Sequence, residues 1–111
     1  MEITKKKVVK SVYYYKDIQD IFEYGEATFG EKAALSFFEE LLMVTHNLET
    51  LYLLHSECRH LETKTKKYRN IIFGSYLIIY RITPNRIEVL RAFHGSRSPK
   101  SIKGSRSIKV D

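Results

Sequence analysis

The run Tyr68–Arg97 leaves the chain few folds to choose from. It reads as three short β-strands joined by two tight turns, because Ile, Val, Tyr and Phe fill the runs and such side chains pack well on a pleated surface. Gly74-Ser75 is a two-residue break of the kind that closes a hairpin, glycine accepting a positive φ without steric cost. Pro84-Asn85 suits the centre of a second turn: proline presets φ at the first central position and asparagine tolerates the conformation of the second. Alternation sends Tyr76, Ile78, Tyr80 and Ile82 to one face of the middle strand and Leu77, Ile79 and Arg81 to the other. The same count sends Ile87, Val89, Arg91 and Phe93 to one side of the last strand, and Glu88, Leu90, Ala92 and His94 to the other. Neither strand has a clean polar face, so the meander needs cover on both sides; the rest of the chain is expected to supply only one.

That cover is read from the first half. Glu2–Lys10 looks like a strand, with Val8 and Val9 its most apolar part. Ser11 is a helix N-cap, its hydroxyl placed to accept from an unpaired amide, although Tyr14 occupies the capping-box position. Tyr14, Ile18, Ile21, Phe22, Gly25 and Phe29 recur at helical spacing, and Gly30 is a natural stop. A second helix runs from about Glu31 to Leu48 with the stripe Ala34, Leu35, Phe38, Leu41, Leu42 and Leu48. So short a link implies an antiparallel pair that lays its joint stripe on the sheet. Leu51, Tyr52, Leu53 and Leu54 are expected to pack beneath the sheet, and the polar run Thr63–Lys67 to approach it over the surface. The expected fold is α+β: a single β-α-α-β-β-β domain over 1–97, its helical hairpin on one face of an antiparallel-rich sheet, with a basic flexible C-terminal tail over 98–111.

At 111 residues and 43% hydrophobic content the chain can build one ordinary core. No segment approaches the ~18 consecutive apolar residues of a membrane span, and no apolar signal core follows Lys5, Lys6 and Lys7, so a cytoplasmic protein with no membrane partner is expected. A lone Cys58 excludes an intramolecular disulfide framework and fits a reducing compartment. His55, Cys58 and His60, with Glu57 and Glu62 nearby, match no standard four-ligand spacing, so neither metal nor other cofactor is expected.

Charge is divided unevenly. Residues 1–66 carry nine Lys/Arg against eleven Asp/Glu, a balance of −2, and residues 67–111 carry ten against two, a balance of +8 within the net +6. Cations on edge strands block unwanted sheet pairing; a basic surface also suits an acidic partner, either nucleic acid or an acidic protein segment. In the tail, Gly95–Lys103 is echoed by Gly104–Lys109 with three residues missing, a short internal duplication rich in Ser and Lys/Arg. Such a composition is expected to pack no core and to add little stability beyond Pro99.

A strand, a helical hairpin and a meander ending Leu90-Arg91-Ala92-Phe93-His94-Gly95-Ser96-Arg97 resemble the RelE/ParE toxins of bacterial type II toxin–antitoxin modules. The densest likeness is Tyr76–Ile82 followed by Arg86–Gly95, and Asp17-Ile18 with Ile21 and Tyr24 resembles the family's first-helix signature. RelE-type toxins cut messenger RNA on the ribosome with several converging cations. Here Leu77 stands where that pattern has Arg, Ile71 fills one of two basic places on the preceding strand, and no Tyr follows Arg97. The Tyr-Leu-Ile-Ile-Tyr-Arg run and the His-Gly ending look more like the ParE branch, which poisons DNA gyrase by binding it. The resemblance thus implies a growth-inhibiting toxin with a role in plasmid stabilisation, ParE-like and gyrase-binding, neutralised by the acidic C-terminal segment of a cognate antitoxin. It makes Arg69, Arg81, Arg91, His94 and Arg97 contact residues for target or antitoxin, Arg81 and Arg91 having an alternative role as fold supports. The alternative is a RelE-like endoribonuclease acting on ribosome-bound messenger RNA, with Arg69, His94 and Arg97 as its catalytic groups. A further alternative is a non-toxic basic nucleic-acid-binding α+β domain, with Tyr76 and Tyr80 as stacking positions or plain core.

Overall fold

The chain alternates between segments that close locally and segments that must find the sheet. The structure is a computed structural model and describes residues 3–95 and 98–111. In chain order it has β1 (Lys7–Lys10), α1 (Val12–Phe29), α2 (Glu31–His46) and a single turn α3 (Leu48–Leu51). After a long connection come β2 (Tyr68–Phe73), β3 (Tyr76–Ile82), β4 (Arg86–His94), α4 (Pro99–Lys103) and a 3₁₀ turn over Gly104–Ser107. The strands form one mixed sheet in the order β1-β4-β3-β2, with β1 parallel to β4 and the meander antiparallel. The expected strand–helix–helix–meander order and both tight turns are present; Gly74 takes φ 59°, the conformation its hairpin requires. The first strand is shorter than its sequence limits.

Ser11 shows how the hairpin is seated. Its Oγ accepts from the Tyr14 amide at 2.9 Å, capping α1, and donates to the Leu90 carbonyl at 2.6 Å, tying that helix end to β4. Gly30, at φ 94°, ends α1 and lets α2 start at once. Tyr14, Ile18, Leu41 and Leu48 meet Ile71, Ile78, Tyr80, Ile87 and Val89 of the sheet in one core, while Ala34 is buried between the helices and Thr45 beneath α2. Thr45 tolerates burial because its hydroxyl donates to the Leu41 carbonyl at 3.0 Å. The inward face of α2 therefore runs through Ala34, Leu41 and Thr45, which turns Leu35 and Leu42 outward, 44% and 42% exposed, against the expected stripe. Phe38 stays half-buried, edge-on to Phe22 with ring centroids 6.1 Å apart. Phe29 lies past the sheet and is exposed. Of the 51–54 cluster only Tyr52 is buried, held by hydrogen bonds to Thr4 and Tyr80; its three leucine neighbours are exposed.

β4 departs from simple alternation. Ile79 pairs with Arg91 but Tyr80 pairs with Val89, so Leu90 is an extra residue, a β-bulge. Up to it, Ile87 and Val89 face the helices and Leu90 faces away; beyond it, Ala92 has crossed to the helix side and Phe93 to the far side. Simple alternation, blind to the bulge, puts these two on the opposite faces.

The far side is covered too, which corrects the expectation of one bare face. Cys58, Leu61, Tyr68, Ile79, Leu90 and Phe93 form a second core with Ile102 and Val110 of the tail. The tail buries apolar groups after all, because sheet cations grip its carbonyls. Arg81 Nη2 donates to the Ile108 carbonyl at 2.8 Å and Arg86 Nη2 to that of Val110. Glu88, 5% exposed, sits between these two guanidinia and accepts from both. Burying a Val or Ile side chain stabilises by about 1.5–3 kcal/mol. Deleting residues 99–111 is therefore expected to cost about 3 kcal/mol or more in urea unfolding. A change below about 0.5 kcal/mol, the scale of a surface substitution, would show that the second core does not depend on the tail.

Candidate functional site

Each cation singled out in the sequence has an internal partner or lies outside the described residues. Arg69, on β2, donates from Nε to the Lys66 carbonyl at 3.1 Å and from Nη1 to the carbonyls of Leu53 and His55 at 3.2 and 2.8 Å. It pins the 52–67 connection to the sheet edge. Arg81, on the far face, pairs with Glu88 at 2.7 Å. Burial works against its charge, but its hydrogen bonds to Tyr68 and Glu88 outweigh this and hold its pKa above the ordinary arginine value. Arg91, at the bulge, makes a two-pronged contact with Asp17 of α1, Nε to Oδ2 at 2.7 Å and Nη2 to Oδ1 at 2.9 Å. Its guanidinium also lies 4.5 Å from the Phe93 ring centroid. Arg97 lies outside the described residues.

His94 is elsewhere. It pairs across the sheet with Tyr76 at the start of β3, its ring edge-on at 5.7 Å. Arg81 is five residues further along that strand, about 17 Å away at ~3.3 Å per residue. Arg69 pairs with Tyr80, about 13 Å along by the same rise. The described cations thus do not converge on His94. What does converge there is aromatic: the bulge that moves Ala92 to the helix side opens His94 onto a hollow of about 470 Å³ between the hairpin tip and the Gly74-Ser75 turn. Tyr24, Phe29, Phe37 and Tyr76 line it, with Phe37 edge-on to both Phe73 and Tyr76. A second, shallower hollow runs along the outer seam of the hairpin, lined by Tyr15, Phe22, Leu35 and Phe38. Sequence reading missed both, having assigned Phe29 and Leu35 to the core. Their signal was present in stripes wider than one helix face can bury.

The 55–62 cluster carries no metal geometry: no group of three or more His, Cys, Asp or Glu among the described residues is placed to hold an ion. Burial raises the Cys58 thiol pKa, which leaves a core thiol with little thiolate character. Nor is any helix among the described residues long and apolar enough to cross a membrane.

With this geometry in place, comparison with known proteins decides the family. Residues 11–99 match the model of the ParE toxin of the type II toxin–antitoxin system parDE. The chain belongs to the ParE toxin family. It is a type II toxin component, and its family implies an antitoxin partner. A similar fold is found in a solved chain of the chromosomal ParDE TA system from P. aeruginosa, 12% identical in sequence with a TM-score of 0.67. That likeness covers 82% of this chain and 97% of the other. No curated protein matches the sequence. The family match ends at residue 99, so most of α4 and all of the 3₁₀ turn lie beyond it.

One titratable group in the fold has a consequence for pH. His55 is half-buried, edge-on to Tyr80, and burial lowers its pKa below the ordinary histidine value. A lowered folded pKa favours the neutral ring, so this contribution is complete above the unfolded pKa of about 6.5 and is lost as pH falls below it. Urea unfolding at pH 7 and pH 5 is expected to show a drop that His55→Asn reduces. An equal drop in the variant would assign the acid sensitivity to other groups.

Proposed function

We propose that this ParE-family toxin arrests growth by binding DNA gyrase, and that its antitoxin silences it with an acidic C-terminal segment that folds on it. The observation carrying this reading is the dispersal of the cations. Cleaving a phosphodiester needs several groups converging on one phosphate. Here Arg69, Arg81 and Arg91 are spent on carbonyls, Glu88 and Asp17, and two of them sit well over 10 Å along the strands from His94 by strand rise. Binding does not require convergence: contact energy spreads over a patch, with only a few residues exceeding about 1 kcal/mol on truncation. His94 and Tyr76 make a contact end at the close of β4. The two aromatic hollows offer an amphipathic antitoxin segment the apolar anchors that folding on binding demands.

The test is induction without antitoxin, together with purified toxin assayed on gyrase. Supercoiling is expected to fall while ribosome-bound messages stay intact. His94→Ala should weaken toxicity in a graded way that higher expression restores. A catalytic histidine behaves differently, since general acid–base catalysis supplies ~10²–10⁴-fold and its loss is not rescued by dosage. Codon-phased cleavage of messages with unaffected gyrase would favour the ribonuclease reading.

A further inference from the structure

The tail beyond the family match has a three-residue rhythm. Lys100, Lys103, Arg106 and Lys109 are all exposed. Ile102 and Ser105 are buried, 5% and 1% exposed, and Ile108 packs with them on the second core. Ser101, Gly104 and Ser107 line a third hollow of about 460 Å³, whose other walls are Tyr13, Arg91, Ile108 and Lys109. One row thus faces water, one the sheet and one the hollow, with Ile108 and Lys109 of the other two rows reaching the hollow's wall. The cause is geometric: a helical turn running into a 3₁₀ turn brings residues three apart back to the same side. The duplication keeps the same rhythm. Its two Ser-Ile-Lys copies, at 101–103 and 107–109, are offset by six residues, two such turns, so each residue type returns to its own row.

We propose that this row and hollow bind the phosphodiester backbone of nucleic acid. Within the basic second half, Arg69, Arg81, Arg86 and Arg91 are committed to internal acceptors. The four tail cations make no ion pair with a carboxylate among the described residues; Arg106 lies 5.8 Å from the Tyr68 ring centroid and the others stand in solvent. In the hollow, Arg91 spends Nε and Nη2 on Asp17 and shares the lining with Lys109, Ser101 and Ser107, the Ser107 hydroxyl donating to the Gly104 carbonyl and the Ser101 hydroxyl pairing with that of Ser98. Point charges at regular intervals match a chain of phosphates, which are read largely through charge. An acidic peptide that folds on binding needs apolar anchors, and apart from Tyr13 and the half-buried Ile108 at the hollow the exposed rows hold only Lys, Arg, Ser and Gly. Neither gyrase nor antitoxin enters this binding, so its failure leaves the gyrase reading untouched.

The purified full chain is titrated with a fluorescent duplex DNA of arbitrary sequence, a single-stranded RNA of equal length, and poly-glutamate, over a range of salt. Each phosphate contact on duplex DNA contributes about 0.9 to the slope of log affinity against log salt. Replacing all four tail cations by Ala is expected to reduce that slope by about three to four, with the unfolding midpoint unchanged. Ser107→Glu places a carboxylate in the hollow and is expected to weaken binding at low salt in a chain that stays folded; it decides the matter should the fourfold variant unfold. A preference for duplex or for RNA assigns the source of the phosphates. The proposal is overturned by an absence of nucleic-acid binding, by a slope the variants leave unchanged, or by poly-glutamate binding more tightly through the same residues.

Discussion

The Asp17 carboxylate holds together the one irregularity on which the rest of the sheet depends. It accepts from two nitrogens of Arg91 and, at 3.0 Å, from the Ala92 amide. A bulge leaves ladder groups without a cross-strand partner, and a backbone amide left so beside a core is costly. A carboxylate on α1 supplies the missing acceptor at the point where β4 changes phase. The bulge thereby sends Phe93 to the tail and Ala92 to the helices, and puts His94 beside Tyr76. Without it, the last strand would turn a large ring toward the hairpin and a small methyl toward the tail.

A second arrangement of charges does for the far face what Asp17 does for the near one. Arg81 and Arg86, both half-buried, form a triad around the buried Glu88 carboxylate, and their spare donors reach the carbonyls of Ile108 and Val110. Buried ion pairs rarely stabilise more than apolar packing would, but removing one partner leaves an uncompensated charge at a cost of about 3–5 kcal/mol. The triad therefore fixes where the tail lies more than how tightly. Charge in this toxin is thus sorted by depth: the sheet arginines organise the fold, while the tail's lysines and Arg106 face solvent.

Much of this was legible in the sequence. Period-two alternation, Gly74-Ser75, Pro84-Asn85, Ser11 and Gly30 located the meander, the turns and the hairpin, because each signal is local. What escaped was non-local. Nothing in Val89-Leu90-Arg91 announces a bulge; it depends on an acceptor on a helix 74 residues earlier. The tail reads as a solvated segment by composition, and Ile102 and Val110 become core only because two arginines on β3 and β4 hold the intervening carbonyls. Leu35 and Leu42 looked inward because a stripe of leucines is wider than the face α2 presents. Among the candidate site residues, the sequence identified the cations but not their partners, and partners decide whether a cation supports the fold or meets a target.

The central claim is that Asp17 and Arg91 act as a structural unit. A double-mutant cycle with Asp17→Asn and Arg91→Gln, read by urea unfolding with growth arrest measured in parallel, tests it most directly. Residues joined in one hydrogen-bonded network couple by about 0.5–3 kcal/mol, and a two-pronged pair that also holds the bulge is expected toward the upper end of that range. Toxicity should then follow the folded fraction across the four proteins. Additive stabilities within about 0.5 kcal/mol, with toxicity abolished by Arg91→Gln alone in a fully folded chain, would contradict the account and make Arg91 a contact residue.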